Sequence, residues 1–337
     1  MNSNSVMQVF TGDAHDGCHM LDDVGAYEWW YVDAISDDAN WSMVVIMFRG
    51  MPMSPDYLRE LAHGHSPRPI DHCGVAVSVY YKGKRLFQVF RGVDKVETSF
   101  ATSACDVHVG PCSLRNTAPD TWSLHVDTRH ASTSRGIVLS ATLRRIGAIV
   151  NDPIAFTARH GWVLAAPLAT IQAQMEIHDF GRCRTRVQWS GQAYHDHNMG
   201  RVAMQEDFRS WYWGRALQSN NGFVYLATND ATEPFAFAAQ VDEQGVHPWH
   251  RVQIRPKNHY ATYMGLRASK NVVVDALEGS VQINQQRVLD DGPFYRRYLA
   301  SVTGPFGTGN AITEDMHVQK YRAAWIRPFL RTPWAKQ

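Results

Sequence analysis

The alternation of short strand-like segments with turn residues sets the strongest limit on the fold of this chain. Short segments rich in β-branched and aromatic residues are separated by Gly, Asn, Asp and Pro, a pattern that predicts strands joined by turns. The clearest predicted strands are residues 41–48, 73–81, 84–91, 121–128, 136–145, 170–178, 184–194, 222–228, 234–241, 251–255, 260–267, 271–277 and 281–289. Helical periodicity is limited to Pro55–Ala62 and to part of 311–325. The sequence therefore predicts an all-β protein of antiparallel sandwiches or barrels.

The length of the chain predicts two such units. At about 150 residues per domain, 337 residues make two domains, each large enough to bury its own core. We expect an N-terminal β unit over residues 1–185 and a C-terminal β unit over residues 186–337.

Charge and cysteine content narrow the class of protein. The 33 Lys and Arg residues nearly balance the 32 Asp and Glu residues, which disfavours nucleic acid as the main partner. Five scattered cysteines without a C-x-x-C pair indicate reduced thiols. The N-terminus lacks the regions of a secretory signal, and the longest apolar run, Met43–Phe48, is too short to span a membrane. We expect a soluble cytoplasmic protein, at most peripheral to a membrane, of unassigned oligomeric state.

The first cluster of interest is the segment from Glu28 to Asp33. On a strand, Glu28, Trp30 and Val32 share one face, and Trp29, Tyr31 and Asp33 share the other. Each face carries an aromatic residue and an acid, which is unusual for a half-buried strand. Two interpretations stay open: core aromatics with satisfied carboxylates, or the wall of a pocket. We expect a central strand whose Trp residues avoid solvent.

The second cluster is the segment from Tyr194 to Gly200. Period-2 geometry places Tyr194, Asp196 and Asn198 on one face and His195 and His197 on the other. The His pair raises the alternative of a metal site, but no third ligand follows from the spacing, so no metal is expected. A carboxyl flanked by a phenol and an amide is suited to proton transfer.

The third cluster, Trp211-Tyr212-Trp213-Gly214-Arg215, places Trp211, Trp213 and Arg215 on one face. An arginine beside indole rings is either a stacked structural contact or part of a binding site. No nucleophile elbow, P-loop or zinc-protease motif is found along the chain.

Together these motifs resemble the carotenoid 1,2-hydratases (hydroxyneurosporene synthases). The resemblance covers nearly the whole chain in order: Tyr27 to Ala34, Ser36-Asp37-Asp38, Ser54-Pro55-x-Tyr57, Asp71-His72-Cys73, Gly161-Trp162, Ala166-Pro167-x-Ala169, Trp189-Ser190-Gly191, Tyr194-x-Asp196-x-Asn198-x-Gly200, Trp211-x-Trp213-x-Arg215-Ala216, Gly292-Pro293-Phe294-Tyr295-x-Arg297 and Ala324-Trp325-Ile326-Arg327. The resemblance implies two lipocalin-like β units with a substrate cavity at or near their junction. The wider superfamily also holds kievitone hydratase and fungal Diels–Alderases.

The resemblance also implies a chemistry: cofactor-independent, acid-catalysed hydration of a C=C bond in an apolar isoprenoid or polyene. Burial keeps a carboxylic acid protonated, and Asp196 matches the family's acidic position. Tyr194 would orient Asp196 or water, and Trp162 would stabilise the carbocation through its π face. The remaining predicted substrate-binding residues are Glu28, Trp29, Trp30, Asp33, His195, His197, Asn198, Trp211, Trp213 and Arg215. Substrate uptake would involve transient contact with a membrane.

Two alternatives stay open. The same cavity and acid would suit a cyclase or isomerase, including a Diels–Alderase-like enzyme, acting on a terpenoid or polyketide polyene. A lipocalin-like carrier of an apolar ligand is the non-enzymatic alternative, although a carrier has no need of a buried acid beside a tyrosine.

Overall fold

The computed structural model describes residues 6–129, 135–152, 154–218, 220–230, 234–322 and 334–335. The Ala324–Arg327 motif named above lies outside these residues. The chain forms two compact units. Unit 1 combines the described residues up to Ile146, residues Val150–Met204 and the strand at 334–335. Unit 2 combines Gly147–Ile149 with the described residues of 205–322.

Unit 1 is built on a 13-stranded sheet. Its strands are β1 (Met7–Thr11), β2 (Tyr27–Ser36), β3 (Trp41–Arg49), β4 (Cys73–Tyr81), β5 (Lys84–Val93), β6 (Thr98–Phe100), β7 (Asp106–Val109), β8 (Cys112–Ala118), β9 (Thr121–Arg129), β10 (Gly136–Arg145), β11 (His160–Asp179), β12 (Arg182–Gly200) and β22 (Trp334–Ala335). The spatial order is β22-β5-β4-β3-β2-β12-β11-β10-β9-β8-β7-β6, with β1 paired to β11. All pairings are antiparallel except those of β1 and β22.

Unit 2 is built on a nine-stranded sheet. Its strands are β13 (Phe208–Gln218), β14 (Asn221–Asp230), β15 (Phe235–Asp242), β16 (Gly245–Pro248), β17 (Gln253–Ala261), β18 (Arg267–Ala276), β19 (Gly279–Asp291), β20 (Tyr295–Gly304) and β21 (Gly307–Met316). Their order is β16-β15-β14-β13-β21-β20-β19-β18-β17. The prediction of an all-β chain with two antiparallel β units is confirmed.

The division between the units differs from the expected one after residue 185. It falls after Met204, because β12 pairs with β11 along nearly its whole length and with β2 over its second half. A strand with neighbours on both sides belongs to their sheet, so the main part of unit 2 begins only after β12 ends.

Helices are few and short in the described residues. The predicted helix at Pro55–Ala62 is confirmed as α1, with Ser54 as N-cap and Pro55 in its first turn. A second helix, α2, covers Met204–Asp207, and 3-10 turns cover Pro69–His72, Lys95–Glu97 and Val318–Arg322. Inside 311–325, where a helical stretch was predicted, the residues up to Met316 belong to β21 and Val318–Arg322 form the 3-10 turn. None of the described helices has the length and hydrophobicity needed to cross a bilayer.

The position of β2 explains its unusual sequence. The prediction of a central strand is confirmed, since β2 lies between β12 and β3 in the sheet. Trp30, Val32 and Ala34 point into the main hydrophobic core of unit 1. The opposite face carries Tyr31 and Asp33, which are also buried. Aromatic and acidic residues therefore occur on both faces because both faces are covered.

Candidate functional site

Asp196 is the centre of a buried cluster on the face of β12 that points away from the core of unit 1. Its side chain is 3% exposed. The Tyr194 hydroxyl donates to Oδ2 at 2.6 Å, the Trp162 Nε1–H donates to the same oxygen at 2.7 Å, and the Asn198 amide donates to Oδ1 at 2.8 Å. Trp162 reaches Asp196 because it stands opposite Asn198 in the pairing of β11 with β12. Three predicted site residues are thus joined to the predicted acid.

These contacts have opposing effects on the proton of Asp196. Burial disfavours the charged carboxylate, whereas three donors stabilise it. The Tyr194 hydroxyl can serve either state, since a hydroxyl both donates and accepts. Burial, together with the neighbouring Asp196 carboxylate, raises the pKa of Tyr194 well above its usual value. The phenol therefore keeps its proton and acts as a neutral hydrogen-bonding group.

The partner strand β2 contributes Tyr31 and Asp33 to the same face. In the antiparallel register Asp196 lies opposite Tyr31, and Tyr194 lies opposite Asp33. The Tyr31 hydroxyl donates to Asp33 Oδ2 at 2.9 Å, and the rings of Tyr31 and Tyr194 meet edge to face at 6.1 Å. Asp33 was predicted as a substrate-binding residue, and the structure brings it beside the predicted acid.

An apolar surface continues from Asp196 across the sheet. Ile46, Ala76 and Phe90 follow Tyr31 in the same row of paired residues on β3, β4 and β5. Phe48 and Trp29 form the neighbouring row, and the Trp29 indole stacks on Tyr27 at 4.9 Å. These side chains belong to a small hydrophobic cluster separate from the main core. Trp29, Ile46 and Phe90 are only partly buried, which makes this surface the apolar side of the candidate site.

The structure adds His160, which the sequence interpretation missed. His160 is fully buried, and its Nδ1 lies 2.8 Å from the Tyr27 hydroxyl. It precedes Trp162 by two residues at the start of β11, so both side chains lie on the same face. The two-residue spacing of His160 and Trp162 could have indicated that they share a face. No strand was predicted to start at His160, so this was missed.

The structure does not bring Glu28, Trp30, His195 and His197 to the Asp196 face, although all four were predicted to bind substrate. The period-2 alternation of β2 and β12 turns them into the interior of unit 1. His197 stacks on Trp30 at 4.3 Å, and its Nε2 lies 3.5 Å from Glu28 Oε2. These four side chains support the core behind the site rather than its surface.

His195 forms a buried ion pair in the same interior. Its Nδ1 donates to the Tyr31 carbonyl at 2.9 Å, and its Nε2 lies 3.0 Å from Asp16 Oδ2. Burial opposes the charged forms, but the pairing outweighs it: the pKa of His195 is raised and that of Asp16 is lowered. Trp122 Nε1 also donates to Asp16 Oδ2, at 3.0 Å.

Two groups of described residues come close enough to share a metal ion, and neither includes Asp196. The first is Asp16, Cys105 and His195, and the second is Glu176, His178 and Cys183. His197, the other half of the metal alternative considered from the sequence, belongs to neither group. In the first group, burial raises the pKa of the Cys105 thiol well above its usual value.

The third sequence cluster lies in unit 2. Trp211, Trp213 and Arg215 pair with Met316, Glu314 and Ile312 of β21. They therefore occupy the face of β13 opposite to Ala216, which belongs to the apolar core of that unit. Trp213 and Arg215 are buried. Their predicted role in substrate binding remains a prediction.

Comparison with known proteins identifies relatives over most of the chain. The family model for the carotenoid hydratase CrtC matches residues 45–336. Hydroxyneurosporene dehydrogenase of Chlorobaculum tepidum is 28% identical over 324 residues, covering 89% of this chain and 84% of that protein. Acyclic carotenoid 1,2-hydratase of Thiocapsa roseopersicina is 26% identical over 321 residues, covering 91% of this chain and 72% of that protein.

Solved structures share the fold. A provisionally assigned AttH from Nitrosomonas europaea aligns with a TM-score of 0.63 and 14% identity over 90% of this chain and 95% of that one. Kievitone hydratase from Nectria haematococca aligns with a TM-score of 0.52 and 10% identity over 90% of this chain and 91% of that one. At such identities the likeness concerns the fold alone. The predicted lipocalin-like architecture is confirmed.

Proposed function

Because this chain belongs to the carotenoid hydratase CrtC family, we propose that it adds water to a C=C bond of an apolar isoprenoid or polyene, with Asp196 as the acid. The observation that carries this proposal is the buried Asp196 carboxyl, held by Trp162 and Tyr194 beside an apolar surface. Protonation of an alkene requires such a proton donor next to the hydrocarbon.

The geometry supports a stepwise addition. Protonated Asp196 delivers its proton to one alkene carbon, and a tertiary carbocation forms at the other. The indoles of Trp162 and Trp29 stabilise that cation by about 0.5–2 kcal/mol per ring. Water then adds to the cation to give a tertiary alcohol. The oxidation state of the substrate does not change overall, so the reaction needs no redox cofactor.

Incubation with an acyclic carotenoid, followed by mass spectrometry, tests the proposal. Hydration adds the mass of one water. An unchanged mass with a new retention time would instead indicate isomerisation or cyclisation, because a cation that is shielded from water can lose a proton or react with another C=C bond. Recovery of bound but unaltered substrate would favour a carrier. The Asp37→Asn variant, which changes an exposed carboxylate in the turn after β2, is the control for variants of Asp196.

We also propose that the protein contacts an anionic membrane surface through the β11–β12 hairpin. At the tip of this hairpin Phe180 is 75% exposed, and the exposed residues Arg182, Arg184 and Arg186 follow it. An aromatic side chain with adjacent basic groups is suited to the interface of a bilayer that contains anionic lipid.

The acidic groups of this hairpin do not cancel its positive charge. Glu176 pairs with Arg186 at 2.7 Å, and Asp179 lies 3.9 Å from Arg135. Arg182 and Arg184 add two further positive charges at the tip. The hairpin tip and Asp196 lie at opposite ends of β12, so the contact would anchor the protein near its apolar substrate rather than form the reaction site.

A further inference from the structure

Two segments of the pattern Tyr-x-Asp face one another across the central strand pair of unit 1. They are Tyr31-Val32-Asp33 on β2 and Tyr194-His195-Asp196 on β12. Each aspartate stands opposite the tyrosine of the other segment in the antiparallel register. All four side chains lie on one face and are buried, with exposures from 0% to 5%. The site therefore contains two carboxyl groups.

Hydrogen bonds join the four groups into two pairs, and the edge-to-face contact of the two tyrosine rings brings the pairs together. Each tyrosine hydroxyl donates to the aspartate of its own strand, at 2.9 Å for Tyr31 and 2.6 Å for Tyr194. Both carboxyl groups act on the Tyr194 phenol: after burial, Asp196 and also Asp33 contribute to its raised pKa. The Tyr194 hydroxyl thus lies within electrostatic reach of both aspartates while keeping its own proton.

The two aspartates occupy diagonal positions on one face of the strand pair. Diagonal neighbours have Cα atoms about 7–8 Å apart, and both carboxyl groups project from the same face. Carboxyl pairs separated by about 6.5–9.5 Å accommodate a reacting water in enzymes that add water across a bond being broken. Asp196 also accepts hydrogen bonds from Trp162 and Asn198, which hold its carboxyl group in position on this shared face.

We infer that Asp33 is the general base of the hydration, an inference that rests on the proposed function. Asp196 gives its proton to the alkene, and the π electrons form the new C–H bond. The oxygen of water forms the C–O bond with the cation, and one O–H bond of that water breaks as its proton passes to the Asp33 carboxylate. Loss of this proton from Asp33 to solvent and uptake of another proton by Asp196 restore both groups. No other reactant is needed.

Asp33→Asn, assayed with an acyclic carotenoid in D₂O, tests the inference. The variant keeps the acid, so it should still protonate the alkene reversibly and place deuterium in recovered substrate. Hydration should fall on the order of 10²-fold or more, because the attacking water has no base. Asp196→Asn should lose both deuterium incorporation and hydration. A purely structural role for Asp33 would not separate the two readouts.

Two further variants complete the experiment. Asp33→Glu keeps the carboxylate but displaces it, so it should hydrate the carotenoid faster than Asp33→Asn does. It replaces Asp33→Asn in the assay if that variant does not fold. Ser78→Ala changes a buried polar group in the same row as Asp33 and should leave both readouts unchanged.

The possible outcomes separate this inference from the proposed function. Wild-type hydration in Asp33→Asn, or equal loss of hydration and deuterium incorporation in a folded variant, would overturn the role of Asp33 alone. A wild-type protein that neither hydrates nor deuterates the carotenoid would overturn the proposed function, and the role of Asp33 with it.

Discussion

At the scale of single residues, the proposed chemistry depends on one proton. Asp196→Asn keeps the shape and the hydrogen-bonding capacity of the side chain but removes the acid. We expect the hydration rate to fall on the order of 10²–10⁴-fold, as measured by product formation under saturating substrate. The variant should remain folded, because the amide oxygen can still accept from Trp162 and Tyr194.

Two further variants refine the prediction for Asp196. Tyr194→Phe removes one hydroxyl and keeps the ring, so its loss of rate should be smaller than that of Asp196→Asn. The control Asp37→Asn should retain the wild-type rate. Near-normal turnover by Asp196→Asn would eliminate the acid and leave a cavity-templated cyclase or a carrier as the better explanation.

At the scale of elements, the β11–β12 hairpin makes a prediction about lipid binding. Wild-type protein should float with vesicles that contain phosphatidylglycerol, and added salt should weaken this association because it screens the arginine charges. Phe180→Ala removes the exposed ring and should reduce flotation several-fold. Tyr263→Ala, at an even more exposed aromatic residue of unit 2, is the matched control and should float as the wild type does.

Failure of this prediction would take one of two forms. Wild-type protein that stays in the soluble fraction with anionic vesicles would exclude the contact. Equal flotation of Phe180→Ala and wild type would show that another surface binds the bilayer.

At the scale of the whole molecule, the buried pair of His195 and Asp16 makes the stability of unit 1 depend on pH. The lowered pKa of Asp16 contributes stability that is present above the usual aspartate value and is lost as pH falls through the folded-state value. The raised pKa of His195 contributes stability that is present below the usual histidine value of about 6.5 and is lost as pH rises through the folded-state value. The pair therefore stabilises most between about pH 4 and pH 6.5.

Urea unfolding of wild type and His195→Gln across this range measures the effect. Removing one partner of a fully buried pair should cost about 3–5 kcal/mol in that window, and the difference between the two proteins should shrink above it. His250→Gln, which alters a histidine with a 75% exposed side chain paired to Glu278, should change the free energy of unfolding little at any pH. A pH-independent difference for His195→Gln would rule out the charged pair.

Local sequence patterns predict most of the strands of this protein and the side chains that share each strand face. Alternation with period 2 is a property of the strand itself, so it correctly grouped Tyr194 with Asp196 and Asn198, and Trp29 with Tyr31 and Asp33, before any partner strand was known. Turn residues marked most strands, and the ordered motifs identified the family. Which face of each strand would meet the core did not follow, because both faces of β2 and β12 carry aromatic and polar side chains.

The way in which these faces combine depends on contacts between strands that are distant along the chain. The register of β11 against β12 places Trp162 on a carboxyl 34 residues away, and the register of β2 against β12 sets two Tyr-x-Asp segments opposite one another. Pairing between strands so distant along the chain depends on packing across the whole sheet, and no local pattern encodes it. For the same reason Asp16, from the segment after β1, was not foreseen as the partner of His195. Local patterns thus define most strands and the chemical groups on each face, whereas strand pairing defines which groups meet.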